Sequence, residues 1–112
     1  MYIINDNKIC FYMTIEKQLI YNWVAILNMN QLVSILIPAF NAQNWIASTI
    51  RSAISQTYSR IEIIIVDDGS SDNTLSIVRS FEAKNVLIVT QDNSGASSAR
   101  NKALSYAQGE YI

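Results

Sequence analysis

Ile61-Glu62-Ile63-Ile64-Ile65-Val66-Asp67-Asp68-Gly69-Ser70 is the stretch on which the fold class turns. Its first six residues are almost all β-branched and apolar, the composition of a strand buried on both faces. Two aspartates, a glycine and a serine then stop the strand with turn chemistry. Upstream, residues 33–37 form a shorter β-branched run ended by Pro38, and downstream residues 86–89 form a third. Helical patterns fill the gaps. Asn44 opens one in which Trp45, Ile46, Thr49, Ile50, Ala53 and Ile54 share a face. A second starts near Asp72, a good N-cap, and buries Leu75, Val78 and Phe81. Residues 91–95 are polar loop, residues 96–107 a third helix with Gly109 as its C-terminal cap, and Tyr111-Ile112 the start of a fourth strand. Strands alternating with helices predict an α/β fold: a Rossmann-like parallel sheet with helices on both faces and right-handed crossovers. Two residues into a core strand is an unusual place for a domain to stop. The expectation is therefore an incomplete sheet from a truncated chain.

Bulk properties exclude several functions. The chain has 112 residues, half of them hydrophobic and 15% charged, which suits one folded domain. A formal net charge of -1 gives no basic field, so nucleic acid is not expected as a partner. Cys10 is the only cysteine and histidine is absent, which removes internal disulfides, His-ligated metals and His-dependent nucleophilic triads. Residues 9–27 are rather apolar, but Glu16, Lys17 and Gln18 interrupt them too early for a spanning helix. No small-residue cleavage site follows. A cytoplasmic location is expected, with attachment of a parent protein to the cytoplasmic face of a membrane left open. The domain proper is read as residues 29–112. Residues 1–28 form an extension of uncertain role, in which Leu19, Ile20, Trp23, Val24 and Leu27 could share a helix face. A packed extension, or upstream sequence read from an early start codon ahead of Met29, is favoured over a membrane-surface helix, because basic residues are nearly absent there.

In an open parallel sheet the carboxyl ends of the strands share one edge, and ligands bind in the crevice outside it. The loops bearing Pro38, Phe40 and Asn41, then Asp67 and Asp68, then Gly95 should therefore converge. Phe40 offers a flat apolar wall. Asp67 or Asp68 offers an acceptor for a ring N–H or a ribose hydroxyl, and Gly69 allows close backbone approach. Arg100 could balance a diphosphate or the carboxylates. Taken singly, each has an ordinary explanation: turn and capping residues, core aromatics, a solvated arginine. Only their convergence favours a site.

Three motifs in order, Val33-Ser34-Ile35-Leu36-Ile37-Pro38-Ala39-Phe40-Asn41, Ile64-Ile65-Val66-Asp67-Asp68-Gly69-Ser70-Ser71-Asp72-Asn73-Thr74 and Asn93-Ser94-Gly95-Ala96-Ser97-Ser98-Ala99-Arg100-Asn101, resemble the family 2 glycosyltransferases. The resemblance implies a GT-A fold and inverting transfer of a sugar from a nucleotide-diphosphate sugar, usually a UDP-sugar, to an acceptor hydroxyl on a carbohydrate or lipid-linked carrier. It also implies a role in polysaccharide biosynthesis. It places Phe40 beside the base and lets the first-strand loop, with Pro38 and Asn41, and the aspartates Asp67 and Asp68 hold base and ribose. Residues 95–100, from Gly95 to Arg100, line the same pocket. Ala103 departs from a common glycine. In that family the Asp-x-Asp motif that binds Mg²⁺ or Mn²⁺ follows a sequence like Gly109-Glu110-Tyr111-Ile112, so no catalytic residue and no metal ligand is expected in this chain. The competing expectations are a receiver-like phosphoacceptor module, a dinucleotide-binding enzyme and a non-catalytic structural module. The first misplaces its acidic strand here, and the second lacks Gly-x-Gly-x-x-Gly after any strand.

Overall fold

The computed structural model describes residues 3–5, 8–10 and 31–112. Strands β1 (Ile3–Asn5) and β2 (Lys8–Cys10) form an antiparallel pair, with Ile4 opposite Ile9. The helix face proposed around Leu19 to Leu27 lies outside the described residues. Then come β3 (Val33–Ala39), α1 (Ile46–Ile54), β4 (Ile61–Asp67), α2 (Thr74–Arg79), β5 (Val86–Thr90) and α3 (Ala96–Tyr106). The three longer strands form a parallel sheet in the order β3-β4-β5. Beyond β3, on the side away from β4, Tyr111 makes a parallel bridge to Val33. The direction of strand addition thus reverses at β3, as at the ligand-binding switch point of doubly wound sheets.

Side chains alternate across the sheet and fill two cores. On one face Ile37, Ala39, Ile61, Ile63, Ile65 and Val86 meet Ile46, Ile50 and Ala53 of α1 and Val78 of α2, with Phe81 packed beside them. On the other, Ile64 and Val66 meet Ala99 and Ala103 of α3. Helices therefore cover both faces, as the alternating pattern predicts. Ala103 fills this second contact with its methyl group.

Three of the differences from the expected boundaries bear on how the chain is laid out. Strand β3 runs through Pro38 to Ala39. The backbone pattern explains why: Val33 N–H donates towards β4, to Arg60 O, whereas Ser34 N–H donates the other way, to Tyr111 O. By the two-residue period, the ring nitrogen of Pro38 faces away from β4, so its missing N–H costs that pairing nothing. Helix α2 begins at Thr74 with Asn73 at the cap position. Asp72 still serves the helix start, accepting from Thr74 N–H at 2.9 Å. At the end of α3 the cap is Ala107 in an extended conformation, so Gly109 is not the cap. Gly109 is buried instead, and a Cβ on it would lie 2.5 Å from Ser34 Oγ and 2.7 Å from Leu32 O. Its N–H donates to Ser34 Oγ at 2.9 Å and to Glu62 Oε1 at 3.1 Å. Gln108 N–H donates to the same Glu62 oxygen at 2.6 Å, and Glu110 Oε2 accepts from Leu32 N–H at 2.7 Å. These bonds lay the chain after α3 along β3, at the sheet end opposite the crevice.

Candidate functional site

The parallel strands finish level: Ala39 pairs with Asp67, and Asp67 with Thr90. The ladder runs one step further, with Asp68 N–H donating to Ala39 O at 2.8 Å and Gln91 N–H to Asp67 O at 3.0 Å. The three loops are gathered at this edge, where the sequence places them.

Strand alternation separates the two aspartates. Ile63 and Ile65 face the layer of α1 and α2, and Ile64 and Val66 face α3. Continuing the period directs Asp67 to the first side and Asp68 to the second. Both are buried, each 2% exposed. Asp68 Oδ1 accepts from Gln91 Nε2 at 2.7 Å and Ser94 N–H at 2.8 Å, and Oδ2 accepts from Gly95 N–H at 2.9 Å. The Gln91 amide first, then the Ser94 N–H, hold the Asp68 carboxyl below the ordinary aspartate range against the opposing effect of burial, with the Gly95 N–H adding to them. Among the described residues Asp67 Oδ2 has only a long bond from Ser70 N–H, at 3.3 Å, and its buried Oδ1 has no partner. A buried acceptor left open is costly, and the group that would satisfy it is an N–H or O–H donor. Between the loops, Gly69 adopts φ 69, and a Cβ there would lie 2.8 Å from Asn93 N. Only glycine lets the second loop pass this close under the third.

The first and second loops are joined by a row of hydrogen bonds. Asn41 N–H donates to Ser70 Oγ at 3.0 Å, while Asn41 Oδ1 accepts from Ser71 N–H at 2.9 Å. Ala42 N–H donates to Thr74 Oγ1 at 2.7 Å, and Gln43 N–H to Asp72 Oδ2 at 3.2 Å. Asn73 N–H returns a bond to Gln43 Oε1 at 3.1 Å. At Asp72 burial pushes the carboxyl up, but the Thr74 hydroxyl and N–H and the Gln43 N–H together outweigh it and leave it lowered.

Of the expected site residues, Phe40 is 48% exposed beside this row, and Pro38 sits half-buried one residue before the strand end. Gly95 is bonded directly to Asp68. Arg100 is exposed on α3, and the Asp68 carboxylate is met by neutral donors rather than by its guanidinium. Gln91, Ser94 and Thr74 are not among the expected site residues. Gln91 acts on a partner 23 residues away, and Thr74 on one 32 residues away, so no local pattern marks either. Among the described residues no group of three Asp, Glu, His or Cys side chains is placed to hold a metal ion. With N–H donors on both Asp68 oxygens, these residues do not by themselves fit Mg²⁺ or Mn²⁺. Nor is any helix among them long and apolar enough to cross a membrane.

The family model for glycosyl transferase family 2 matches residues 34–112. The teichuronic acid biosynthesis glycosyltransferase TuaG of Bacillus subtilis, a protein named with reserve, is 41% identical over 76% of this chain and 35% of its own length. The glucosyltransferase WfaP of Escherichia coli, named for transfer from UDP-Glc to α-D-GlcNAc-diphosphoundecaprenol, is 45% identical over 73% of this chain and 33% of its own. Among solved structures, the mannosyltransferase PcManGT from Pyrobaculum calidifontis, in complex with GDP-Man and Mn²⁺, superposes with a TM-score of 0.63 at 25% identity, covering 84% of this chain and 33% of that one. The chain belongs to glycosyl transferase family 2, and its sheet and helices are of the GT-A type. It spans about a third of the length of TuaG and WfaP, 35% and 33% respectively.

Proposed function

We propose that this chain supplies the nucleoside-binding part of an inverting glycosyltransferase that moves a sugar from a UDP-sugar to an acceptor hydroxyl. The observation that carries this reading is the buried Oδ1 of Asp67, unpartnered among the described residues, at the strand edge with the exposed Phe40 one residue past the neighbouring strand. A uracil ring offers the two complementary features, a flat face for the aromatic side chain and an imino N–H for the open acceptor. Pro38 and Phe40 form one wall of the proposed pocket, with Asn41 anchoring that wall to the second loop, Asp67 and Asp68 its floor, and Gly95 with Arg100 the other wall. The divalent cation, Mg²⁺ or Mn²⁺, is proposed from the family and from the Mn²⁺ in the mannosyltransferase complex. It would neutralise the diphosphate leaving group, and no step is assigned to it through the residues described here. A lipid-linked or carbohydrate acceptor is proposed by analogy with WfaP, and with it a cytoplasmic location at the membrane face.

Calorimetric titration with UDP tests the site. Asp67→Ala removes a charged hydrogen-bond acceptor and should weaken binding by about 1.5–3 kcal/mol. Asp72→Ala, which loosens a loop one layer away, should weaken it less. Equal losses at the two positions would reject the pocket, and tighter binding of GDP than of UDP would change the donor.

A further inference from the structure

We propose that Asn41 is a positioning residue, which acts on the nucleotide through Phe40 rather than by touching it. This rests on the nucleoside reading above. Among the described residues Asn41 is the only non-glycine with a positive φ, at 46°. Asparagine tolerates the left-handed region better than most residues, yet such a conformation persists only where the surroundings hold it. Here they do so from both ends. The Asn41 N–H is bonded to Ser70 Oγ at 3.0 Å, and its side-chain Oδ1 takes both Ser71 N–H at 2.9 Å and Ser71 Oγ at 3.3 Å. The amide oxygen is thus already engaged within the protein. Ala39, two residues earlier, is locked to Asp67 in the sheet. Phe40, 48% exposed, therefore sits between two residues whose backbone is fixed, and that backbone sets where its ring can reach. Such an arrangement holds the ring in place before ligand arrives, which lowers the ordering cost of binding. The same bonds tie the aromatic wall to the loop that follows Asp67 and Asp68, so the two halves of the base site keep one spacing.

A double-mutant cycle read by UDP calorimetry tests this. Asn41→Gly is the informative change, because glycine adopts φ 46 without strain and only the Oδ1 bonds are lost. It should weaken UDP binding about tenfold, as loss of one or two net hydrogen bonds implies. Asn41→Asp, which keeps an acceptor for Ser71 and tolerates the same backbone, should restore most of the affinity. In a Phe40→Ala background, Asn41→Gly should cost at most about twofold further, since the two residues act as a unit. Fully additive losses would show that Asn41 contacts the nucleotide itself and overturn the proposal. So would unchanged affinity of Asn41→Gly at a lowered melting temperature, which marks a purely structural role. Absence of UDP binding by the unsubstituted chain would overturn the nucleoside reading together with this one, whereas additivity alone leaves that reading intact.

Discussion

Neutral donors surround the Asp68 carboxylate, the Gln91 amide foremost, and its charged form is therefore the one the fold prefers. The sign of the pH dependence follows. A carboxyl lowered on folding contributes stability that is fully present above the ordinary aspartate value of about 3.9, and loses it as pH falls from there through the lowered value. Thermal melts should show the native chain losing stability over this acid range more steeply than Asp68→Asn, whose amide does not titrate. Parallel curves would mean that the Gln91, Ser94 and Gly95 bonds do not stabilise the charge. At this scale the sequence is legible in type but not in partnership. Two aspartates closing an apolar strand announce a polar edge, and the period of the strand sends them to opposite faces. That one would be satisfied and the other left with a free oxygen depends on Gln91 and residues 94–95, which approach only through tertiary structure.

The elements were readable because their interiors repeat, and their ends were not because ends depend on neighbours. Pro38 reads as a terminator in isolation, yet it continues β3, because the bond it cannot make faces away from β4. The face proposed for α1 is half right. Ile46, Ile50 and Ala53 are buried, but Trp45 is 65% and Ile54 50% exposed and Thr49 is exposed as well, so the stripe that meets the sheet is narrower than the sequence pattern suggests. Gly109 shows the same limit: glycine after a helix suggests a cap, whereas here glycine is required by contact with β3. Gly109→Ala places its Cβ against Leu32 O and Ser34 N at 2.7 and 2.8 Å, backbone atoms that cannot swing aside. Overpacking of this kind should destabilise the chain by about 1–3 kcal/mol. Urea denaturation would measure the shift, and a midpoint equal to that of the native chain would show that the chain after α3 is not seated on Ser34.

For the molecule as a whole, β4 is the shared wall of both cores. Ile63, Ile64, Ile65 and Val66 are each 0% exposed, so one strand carries contacts to α1 and α2 on one face and to α3 on the other. Ile64→Ala should lower stability by about 2–5 kcal/mol, while Leu87→Ala, at a side chain 42% exposed on β5, should change it far less. Comparable losses in denaturant unfolding would contradict the placement of β4 at the centre. The layered plan was legible from this run of isoleucines. What the strand pattern could not show was on which side of β3 the chain would return after α3, since that is fixed by Glu62, Ser34 and Gly109 acting across the sheet. The side chosen gives the proline of β3 a second meaning. Any strand that extends from Tyr111 along β3 meets hydrogen-bond donors at Ser34 and Leu36 but none at Pro38. At Pro38 the seam between the two strands keeps a carbonyl acceptor but lacks a donor. One bond fewer therefore holds β3 to a neighbour on that side, at the edge where the three loops meet.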